Sequence, residues 1–538
     1  MTLTVRSATV TGATTKGSAL THAELDENFN HLSQSSGVSF LQSGTATPRT
    51  VEAELRDKYI YAANYGMAAG NTAAANTTAI NAALAVAKTS TGQKTVVMPA
   101  GTIDINGFTP PGTTATDADT NGITLKGAGN GYQQEETTSG VATILKFAAG
   151  VTSGLGSTKT YGIYLDNSKH WCNFEDFAID GNAAIDYGLR ITSQITVKRV
   201  RATNCNGHGF RGQTMDSTFC EELAAVGNVG GGMLIDKATS DDSVNTTPNT
   251  VSFIGGVFNR NGTVGLEIEQ LNQGRIKGVC QSNTSFGLKS KNQAGVAWME
   301  GCDIDLWLEA NGGSTDLYQI LLDSNDASGG PSDNVFRGRI DPTGSKKTIH
   351  IVKGTRNRFL RTVHTAGATG AIDLDAGAVD TVFQNCVNSN GTTISSNITD
   401  SGTRNYEYGK WKTPTFAAGD FTSDVGSWTV AAGDVAVYSY CVMDSVMHLQ
   451  FKINTTTVGT TPAELRIKIP GGFVAAQDLD ALYQFSDNNG AWTVGTARVI
   501  TSGGTTDIRL FPGLPGAGAW SNSTDLTYVY GQLFLAVA

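Results

Sequence analysis

The stretch VGLEIEQ at residues 264–270 carries two carboxylates, Glu267 and Glu269, which alternate with Leu266 and Ile268. Alternation with a period of two places both carboxylates on one face of a strand, opposite the apolar residues. Paired carboxylates can cleave glycosidic bonds, because crowding and burial raise the pKa of one acid, which then donates a proton beside an ionised base. Whether this segment does such chemistry depends on the strands above and below it.

A short pattern recurs along the chain: an aromatic or small residue, a glycine, an apolar residue, any residue and an apolar residue. The copies are YGIYL (161–165), YGLRI (187–191), HGFRG (208–212), GGMLI (231–235), VGLEI (264–268) and FGLKS (286–290). Asn228, Asn261 and Asn283 each stand four residues before one of these glycines. A period near 22 residues with short strands is typical of stacked rungs, in which equivalent side chains form ladders. The repeat predicts a right-handed parallel β-helix from roughly residue 60 to residue 400.

Alignment of the rungs on their glycines places further side chains beside the two glutamates. The column of Glu267 contains Arg190, Arg211, Leu234 and Lys289, and the column of Glu269 contains Thr192, Gln213, Asp236 and Lys291. Stacked rungs lie about 4.8 Å apart, so we expect Asp236 and Glu269 to be neighbours. Carboxyl groups about 5–5.5 Å apart suit a retaining glycosidase, and about 6.5–9.5 Å an inverting one. The alternative is a surface ion-pair ladder, because Lys289 and Lys291 lie one rung further along.

A second candidate site is the stretch DIDLWLE at residues 303–309. As one strand it points Asp303, Asp305, Trp307 and Glu309 outward, with Trp298 and Glu300 as extensions of the patch. Sugar rings stack on indole faces, and next-but-one carboxylates lie about 7 Å apart, which suits inverting hydrolysis. Alternatively, Trp307 packs against a neighbouring subunit, or the strand runs the other way round. The candidate catalytic residues are thus Asp236, Glu267, Glu269, Asp303, Asp305 and Glu309, and the candidate carbohydrate contacts are Trp298, Trp307, Arg211, Lys289 and Lys291.

The two ends of the chain differ from the repeat. Thr21 and Glu24 form a capping box for a short helix, and Leu25, Phe29 and Leu32 form one apolar stripe along it. So short a helix needs a partner, either copies of itself around a symmetry axis or its own chain. A second helix is predicted at Thr77–Lys88. Beyond residue 405, long segments alternate strictly, as in VMHLQFKI at 446–453, which predicts an antiparallel β-sandwich.

Composition excludes several classes of function. The 538 residues include 64 glycines, and only 16% are charged, which suits an all-β protein. The net charge of −10 forms no basic stripe, which argues against nucleic acid as a partner. No apolar run is long enough for a membrane span, and MTLTVRSATV lacks the regions of a signal peptide. The seven cysteines have no paired or zinc-ligand spacing, so we expect buried thiols, a reducing compartment, and neither a metal nor a cofactor.

Three stretches together resemble the tailspike and tail-fibre proteins of tailed bacteriophages. KGSALTHAELDENFNHL is similar to the segment that joins such proteins to the particle. FLQSGTATPRTVEAELRDK, followed by TTAINAALAVAK and TVVMPAGTIDI, is similar to the start of their pectate-lyase-like β-helices, and GSWTVAAGDVAVYSYCVMDSVMHLQFKI to a sandwich that often ends them. One departure is AAGNTAAANTT, where the family often has an aspartate-rich stretch. The resemblance implies a homotrimer on the virion tail that binds bacterial surface polysaccharide, and many members hydrolyse or eliminate it.

The sequence therefore predicts an all-β homotrimer with four parts: an attachment segment (1–40) that contacts tail or baseplate proteins, a neck and β-helix entrance (41–120), a parallel β-helix (121–404) and a C-terminal sandwich (405–538). The predicted function is a tailspike, made in the host cytoplasm, that binds and depolymerises a surface polysaccharide. The alternatives are a receptor-binding spike without catalysis and a purely structural fibre segment. Lyase chemistry is a further alternative, in which Arg211, Lys289 and Lys291 could serve an acidic sugar.

Overall fold

The computed structural model describes residues 59–92, 94–110, 122–131, 142–152, 158–165, 172–236, 248–292, 299–313, 318–324, 329–342, 347–365, 372–392, 394, 397–501 and 506–538, and the backbone of four short strands nearer the N-terminus. Contacts divide the chain into a first unit (1–230 and 238–246) and a second unit (231–237 and 247–538). The predicted attachment helix with Leu25, Phe29 and Leu32 lies outside the described residues, as does Trp298. The predicted boundaries at residues 40, 120 and 404 stay predictions.

The first unit has one α-helix among its described residues, α1 (Ala73–Thr89), where the sequence predicts one. Thr72 caps it, because its hydroxyl accepts a hydrogen bond from the Ala75 N–H at 3.3 Å. The strands of this unit are β1 (Thr4–Val5), β2 (Thr14–Thr15), β3 (Ser39–Phe40), β4 (Arg49–Thr50), β5 (Tyr59–Tyr61), β6 (Thr95–Val97), β7 (Gly101–Asn106), β8 (Thr124–Lys126), β9 (Thr143–Ala149), β10 (Val151–Thr152), β11 (Thr160–Ile163), β12 (Asn173–Asp180), β13 (Tyr187–Ile191), β14 (Thr196–Thr203), β15 (Phe210–Gln213), β16 (Phe219–Glu221) and β17 (Ala224–Val226).

Parallel pairing between successive rungs organises the first unit. Strands β11, β13 and β15 form one parallel sheet. Strand β12 pairs in parallel with β8, β9 and β14, and β14 pairs in parallel with β16 and β17. Arg190 and Arg211 are register partners on β13 and β15, as the alignment of the repeats predicts.

The second unit continues in the same manner up to residue 407. Its strands there are β18 (Met233–Asp236), β19 (Ser252–Asn259), β20 (Leu266–Ile268), β21 (Leu271–Asn272), β22 (Arg275–Gln281), β23 (Leu288–Asn292), β24 (Met299–Glu300), β25 (Asp303–Glu309), β26 (Tyr318–Ser324), β27 (Val335–Asp341), β28 (Lys347–Thr355), β29 (Arg358–Leu360), β30 (Val363–His364), β31 (Ile372–Val379), β32 (Val382–Gln384), β33 (Val387–Asn388), β34 (Ile398–Asp400) and β35 (Tyr406–Glu407). Strands β18, β20, β23, β26, β28, β31 and β34 form one parallel sheet, and β19, β22, β25 and β27 begin another. The predicted parallel β-helix is confirmed.

Ladders of identical side chains fill the inside of the coil, as the repeat predicts. Asn261 donates from Nδ2 to Oδ1 of Asn283 at 2.9 Å, and Asn283 donates from Nδ2 to Oδ1 of Asn311 at 2.7 Å. Further along, the rings of Phe336, Phe359 and Phe383 are stacked with centroids 4.7 and 5.0 Å apart. Stacking buries apolar surface on every rung while the amide ladder satisfies the polar groups at the turns.

A corner of the coil carries a ladder of charges that we call the corner ladder: Asp333, Arg356, Asp380 and Arg404. All four residues have a left-handed backbone, with φ between +54° and +56°. Arg356 makes a two-fold contact with Asp333 at 2.7 and 2.6 Å, and Arg404 makes one with Asp380 at 2.5 and 2.7 Å. Planar guanidinium groups suit this bidentate geometry. Each pair ties together two successive rungs at the surface.

The C-terminal part of the second unit forms a nine-stranded antiparallel sheet. Its strands are β36 (Phe421–Ser423), β37 (Ser427–Thr429), β38 (Val435–Met443), β39 (Val446–Gly459), β40 (Leu465–Lys468), β41 (Leu479–Ser486), β42 (Thr493–Val499), β43 (Asp507–Phe511) and β44 (Ser523–Ala536). Side chains from these strands share one core that includes Trp428, Phe451 and Trp520. The arrangement agrees with the antiparallel sandwich predicted from the strict alternation.

All seven cysteines are buried thiols, and burial raises the pKa of the thiol of Cys205 to about 12. They are therefore small core residues, as predicted. In the described part of the chain, no helix is long and apolar enough to cross a membrane. The same residues hold no group of three or more histidine, cysteine, aspartate or glutamate side chains placed to bind a metal ion.

Candidate functional site

Strand β25 presents an alternation of buried and accessible residues, as the stretch DIDLWLE predicts. Ile304, Leu306 and Leu308 are buried, whereas Asp303, Asp305, Trp307 and Glu309 are accessible. The accessible residues meet charged residues of the neighbouring strands β22 and β27, because both neighbours pair with β25 in full register. We call the resulting surface the tryptophan face: Lys277, Asp303, Asp305, Trp307, Arg337 and Arg339.

The two aspartates of the tryptophan face each form an ion pair with a neighbouring strand. Asp303 accepts a hydrogen bond from Arg337, and Asp305 lies 3.9 Å from the Lys277 amine. Both carboxyl side chains are almost half exposed, at 45% and 44%. Burial, which would keep one carboxyl group protonated for general acid catalysis, is thus slight at this position. The geometry fits binding of a polar ligand by these acids better than proton transfer.

Trp307 is the large apolar residue of this face. Its side chain is 45% exposed, and the Arg339 guanidinium carbon lies 5.8 Å from the centroid of its ring. Arg339 in turn contacts Asp341 at 2.5 Å. A cation beside an indole ring holds the ring in place, while exposure leaves part of the ring for a ligand. This combination is what stacking of a sugar ring requires.

The acids of VGLEIEQ lie on a different sheet. Leu234, Glu267 and Lys289 are successive register partners, which confirms the predicted column, and Glu267 forms an ion pair with Lys289. Lys291 forms an ion pair with Asp323, one rung further along, at 3.0 Å. Both lysines therefore form ion pairs between rungs. This matches the surface ion-pair ladder given above as the alternative to a catalytic pair of carboxylates.

Asp236 and Glu269 lie at the ends of their strands. Asp236 is the last residue of β18 and is 5% exposed. Glu269 follows β20, and its N–H donates to the Ile235 carbonyl oxygen at 2.8 Å. The two residues are thus on adjacent rungs, as predicted. Their roles as a catalytic pair stay predictions.

Arg211, a predicted carbohydrate contact, lies in the first unit and is 7% exposed. Its guanidinium donates to the Tyr161 hydroxyl at 2.7 Å, and its central carbon lies 5.0 Å from the ring centroid of Tyr187. The two tyrosine rings are themselves stacked 5.2 Å apart. These contacts fix the guanidinium among aromatic rings, so its contact with sugar stays a prediction.

Sequence reasoning missed a cluster on strands β26, β28 and β31, which we call the His350 cluster: Tyr318, Lys347, His350, Asp373 and Asp375. Asp373 accepts hydrogen bonds from the Tyr318 hydroxyl and from the Lys347 amine, the latter at 2.6 Å. His350 Nε2 lies 3.1 Å from Asp375 Oδ2, and the imidazole packs 4.5 Å from the Tyr318 ring. The cluster thus brings a phenol, an amine, an imidazole and two carboxylates together.

The environment of the cluster fixes two protonation states. Burial favours the neutral form of Asp373, but hydrogen bonds from Lys347 and Tyr318 outweigh it and lower the pKa of this carboxyl group. Burial and the hydrogen bond to Asp373 raise the pKa of the Tyr318 phenol. Asp373 is therefore a carboxylate and Tyr318 a neutral hydrogen-bond donor near neutral pH.

A signal for this cluster exists in the sequence. The stretches TIHIV and IDLD alternate polar and apolar residues, and the isoleucines Ile320, Ile349 and Ile372 of the three strands are register partners. These rungs lack the glycine of the repeat, so alignment on glycine stops at residue 290. The register between these rungs cannot be counted from the sequence, because the partners are 29 and then 23 residues apart.

Comparison with solved structures finds a similar fold in the tailspike protein gp208 of Dettilon. The two chains are 12% identical, the alignment covers 95% of this chain and 100% of that one, and the TM-score is 0.50. The A-module of mannuronan C-5 epimerase AlgE4 from Azotobacter vinelandii aligns at 15% identity over 65% of this chain and 94% of its own, with a TM-score of 0.41. ORF18 of Geobacillus virus E2 aligns at 14% identity over 90% and 84%, with a TM-score of 0.40.

Because the sequence identities are this low, the similarities establish only the fold. The two structures with a TM-score below 0.5 do not strengthen that conclusion. The fold is that of a parallel β-helix found in a phage tailspike. Neither the family models nor the curated protein sequences that were compared match the chain.

Proposed function

We propose that this chain is a phage tailspike that binds a bacterial cell-surface polysaccharide along the outer face of its β-helix and hydrolyses it. The fold shared with a tailspike protein over 95% of the chain supports this proposal. A parallel β-helix offers a long, flat, regularly spaced surface, which suits an extended polymer with a repeating unit.

The observation that carries the binding half of the proposal is the exposure of Trp307 among charged residues. The indole is 45% exposed in the middle of strand β25, so part of its ring is open to a ligand. Arg339 lies beside the ring, and Lys277 and Arg337 flank Asp305 on the same strand, so the face carries hydrogen-bond donors for hydroxyl or carboxylate groups. Indole stacking combined with such donors is the chemistry that recognises a carbohydrate.

The tryptophan face also supports a second candidate function, a receptor-binding spike that holds the glycan without cleaving it. Asp303 and Asp305 are ion-paired and exposed, so at this face they favour binding over proton transfer. Under this alternative, polysaccharide would be retained for hours without becoming shorter.

The proposal includes a homotrimer that joins the virion tail through residues 1–40. Support for self-association comes from the antiparallel sheet, where neighbouring strands expose Leu482, Val494, Tyr530 and Phe534. Exposed apolar groups concentrated on one sheet are typical of a protein interface. Light scattering of the purified chain measures its mass, and a monomer across the micromolar range would contradict this part of the proposal.

The binding test uses the purified full chain, immobilised, and polysaccharides extracted from a panel of bacterial strains. Trp307→Ala should weaken retention of the bound polysaccharide about tenfold, a loss of about 1.4 kcal/mol. Trp492→Ala is the matched control, because Trp492 is 56% exposed and directly precedes β42 of the antiparallel sheet. Equal affinity of wild type and Trp307→Ala would contradict the assigned face, and no retention of any polysaccharide would contradict the function.

A further inference from the structure

The His350 cluster consists of groups that neighbouring rungs bring into direct register. His350 on β28 and Asp373 on β31 are register partners, so their backbones lie about 4.8 Å apart. Tyr318 on β26 reaches across β28 to Asp373, a contact that spans two rungs. Lys347, on the same strand as His350, contacts the same carboxylate. The cluster is thus held from three strands.

One oxygen of the Asp373 carboxylate and one nitrogen of the His350 ring are held by contacts with neighbouring side chains. The second oxygen and the second nitrogen remain available. Both bonds to Asp373 end on Oδ2, and no described residue bonds to its Oδ1. The contact between His350 and Asp375 uses Nε2, and the described residues offer no hydrogen bond to Nδ1. A carboxylate oxygen and an imidazole nitrogen therefore remain for a ligand, on adjacent rungs and with both side chains fixed.

The same sheet also carries ion pairs between one acid and one amine, namely Glu267 with Lys289 and Lys291 with Asp323. The His350 cluster adds a phenol and an imidazole, whose rings pack 4.5 Å apart at an angle of 30°. Ion pairing does not require these two groups, and imidazole is the side chain most often used for general acid–base catalysis.

We propose that Asp373 and His350 are the general base and the general acid that hydrolyse the polysaccharide, an inference that rests on the proposed function. The Asp373 carboxylate removes a proton from water as the water oxygen bonds to the anomeric carbon. The bond from that carbon to the leaving oxygen breaks, and protonated His350 gives its Nδ1 proton to that oxygen. One water is added across the glycosidic bond, and nothing is oxidised or reduced.

The other three residues are positioning residues. Tyr318 and Lys347 hold Asp373 through Oδ2 and keep it ionised, since their hydrogen bonds lower the pKa of that carboxyl group. Asp375 accepts from Nε2–H and so directs the exchangeable proton of His350 to Nδ1. The half-exposed Asp375 side chain, at 50%, marks the solvent side of the cluster.

The kinetic test uses full-length protein and a polysaccharide that the wild type retains, with new reducing ends and chain length as the readouts. Asp373→Asn and His350→Gln should each lower kcat at least about 100-fold, as is typical for loss of a general acid or base, while retention of the polysaccharide stays intact. Asp480→Asn is the matched control, because Asp480 accepts a two-fold contact from Arg498 on the antiparallel sheet.

The split between kcat and KM separates positioning from mere stability. The imidazole is faced by Tyr318 on β26, by Lys347 on its own strand, and by Asp373 and Asp375 on β31. Asp375→Asn removes the carboxylate that contacts Nε2, so kcat should fall while KM for the polysaccharide and the melting temperature stay unchanged. A melting temperature that falls together with kcat would assign Asp375 a structural role only.

Each outcome of the test decides the inference. Cleavage that survives in both His350→Gln and Asp373→Asn would overturn it and leave the proposed function standing, with the acids of the tryptophan face next to be tested. Retention by wild type without any shortening would also overturn it, in favour of the non-catalytic spike. Products with a double bond in the sugar ring would replace hydrolysis by elimination. A failure of binding contradicts the proposed function itself.

A measurement that needs no polysaccharide tests the dyad directly. Nitrogen spectra of protein with labelled histidines report which ring nitrogen of His350 carries the proton in the neutral form. We expect the proton on Nε2, and the signal should change in Asp375→Asn. A proton on Nδ1 would overturn the assignment of Nδ1 as the acid site.

Discussion

Asn283 and Asn311 are joined by two hydrogen bonds that end on the same atom. The backbone N–H and the side-chain Nδ2 of Asn283 donate to Oδ1 of Asn311 at 3.1 and 2.7 Å. Asn283 also accepts at its own Oδ1 from Asn261, and it donates to the Phe258 carbonyl oxygen. One buried side chain thus satisfies polar groups on the rungs before and after it.

Replacement of Asn283 should destabilise the coil strongly. Asn283→Ala removes the side-chain acceptor of two N–H groups of Asn261 and the donors to Asn311 Oδ1 and the Phe258 carbonyl oxygen, and each loss at a buried group costs about 1–3 kcal/mol. We expect unfolding in guanidinium chloride to accelerate at least tenfold. Asn522→Ala, an exposed change in the antiparallel sheet region, is the control. Equal unfolding rates would show that water replaces the ladder at no cost.

The corner ladder should contribute a smaller and salt-dependent stabilisation. Arg404→Gln keeps a residue of similar shape in the left-handed backbone at φ +56° but removes the two-fold contact with Asp380. We expect the free energy of unfolding to fall by about 1 kcal/mol at low salt and by less at 1 M salt. Arg498→Gln, which breaks the exposed two-fold contact with Asp480, is the comparison. A larger effect of Arg498→Gln would contradict the ladder as a stabilising element.

Acid should weaken the coil through His364, which is buried beside Thr362 and Cys386. Burial lowers the pKa of this imidazole from 6.5 to about 4 in the folded protein. The unfolded chain therefore binds a proton first as the pH falls, so stability is complete above pH ~6.5 and declines towards pH ~4, by up to about 3 kcal/mol.

The variant His364→Gln tests this pH dependence, because glutamine does not titrate and can still bond to Thr362. The decline in melting temperature between pH 7 and pH 4.5 should become shallower in the variant than in wild type. An unchanged slope would assign the acid sensitivity to other groups.

Gly338 should be intolerant of any side chain. It lies between Arg337 and Arg339 of the tryptophan face, has φ +112°, and a Cβ there would overlap the Leu306 carbonyl oxygen. Gly338→Ala should therefore cost at least about 2 kcal/mol and weaken polysaccharide binding by displacing both arginines. Thermal unfolding and retention on the polysaccharide measure the two effects. Gly419→Ala, where a Cβ meets nothing within 4 Å, is the control.

The repeat made the fold predictable because a glycine marks the same corner in successive rungs. Once the rungs are aligned on it, the partners of Glu267 follow: Leu234 on one side and Lys289 on the other. The same alignment predicts the inward asparagines. Local alternation was equally sufficient for β25, where the inward and outward residues follow from a period of two.

The pairing of charges on the tryptophan face was not predictable in the same way. Lys277 and Arg337, the neighbours of Asp305, lie 28 and 32 residues from it in sequence, because the turns differ in length from rung to rung. Without a constant period, an outward acid cannot be matched to its partner by counting. The His350 cluster was missed for this reason as well, since Tyr318 and Asp373 meet across two rungs of unequal length.

The corner ladder alternates in sign along the coil, from Asp333 to Arg356, Asp380 and Arg404. Removal of the Arg356 rung or the Asp380 rung alone would therefore bring two like charges together at the corner, whereas removal of both would restore an opposite pair. The alternating charges thus favour the loss or duplication of rungs in even numbers, because only an even change keeps opposite charges adjacent at this corner.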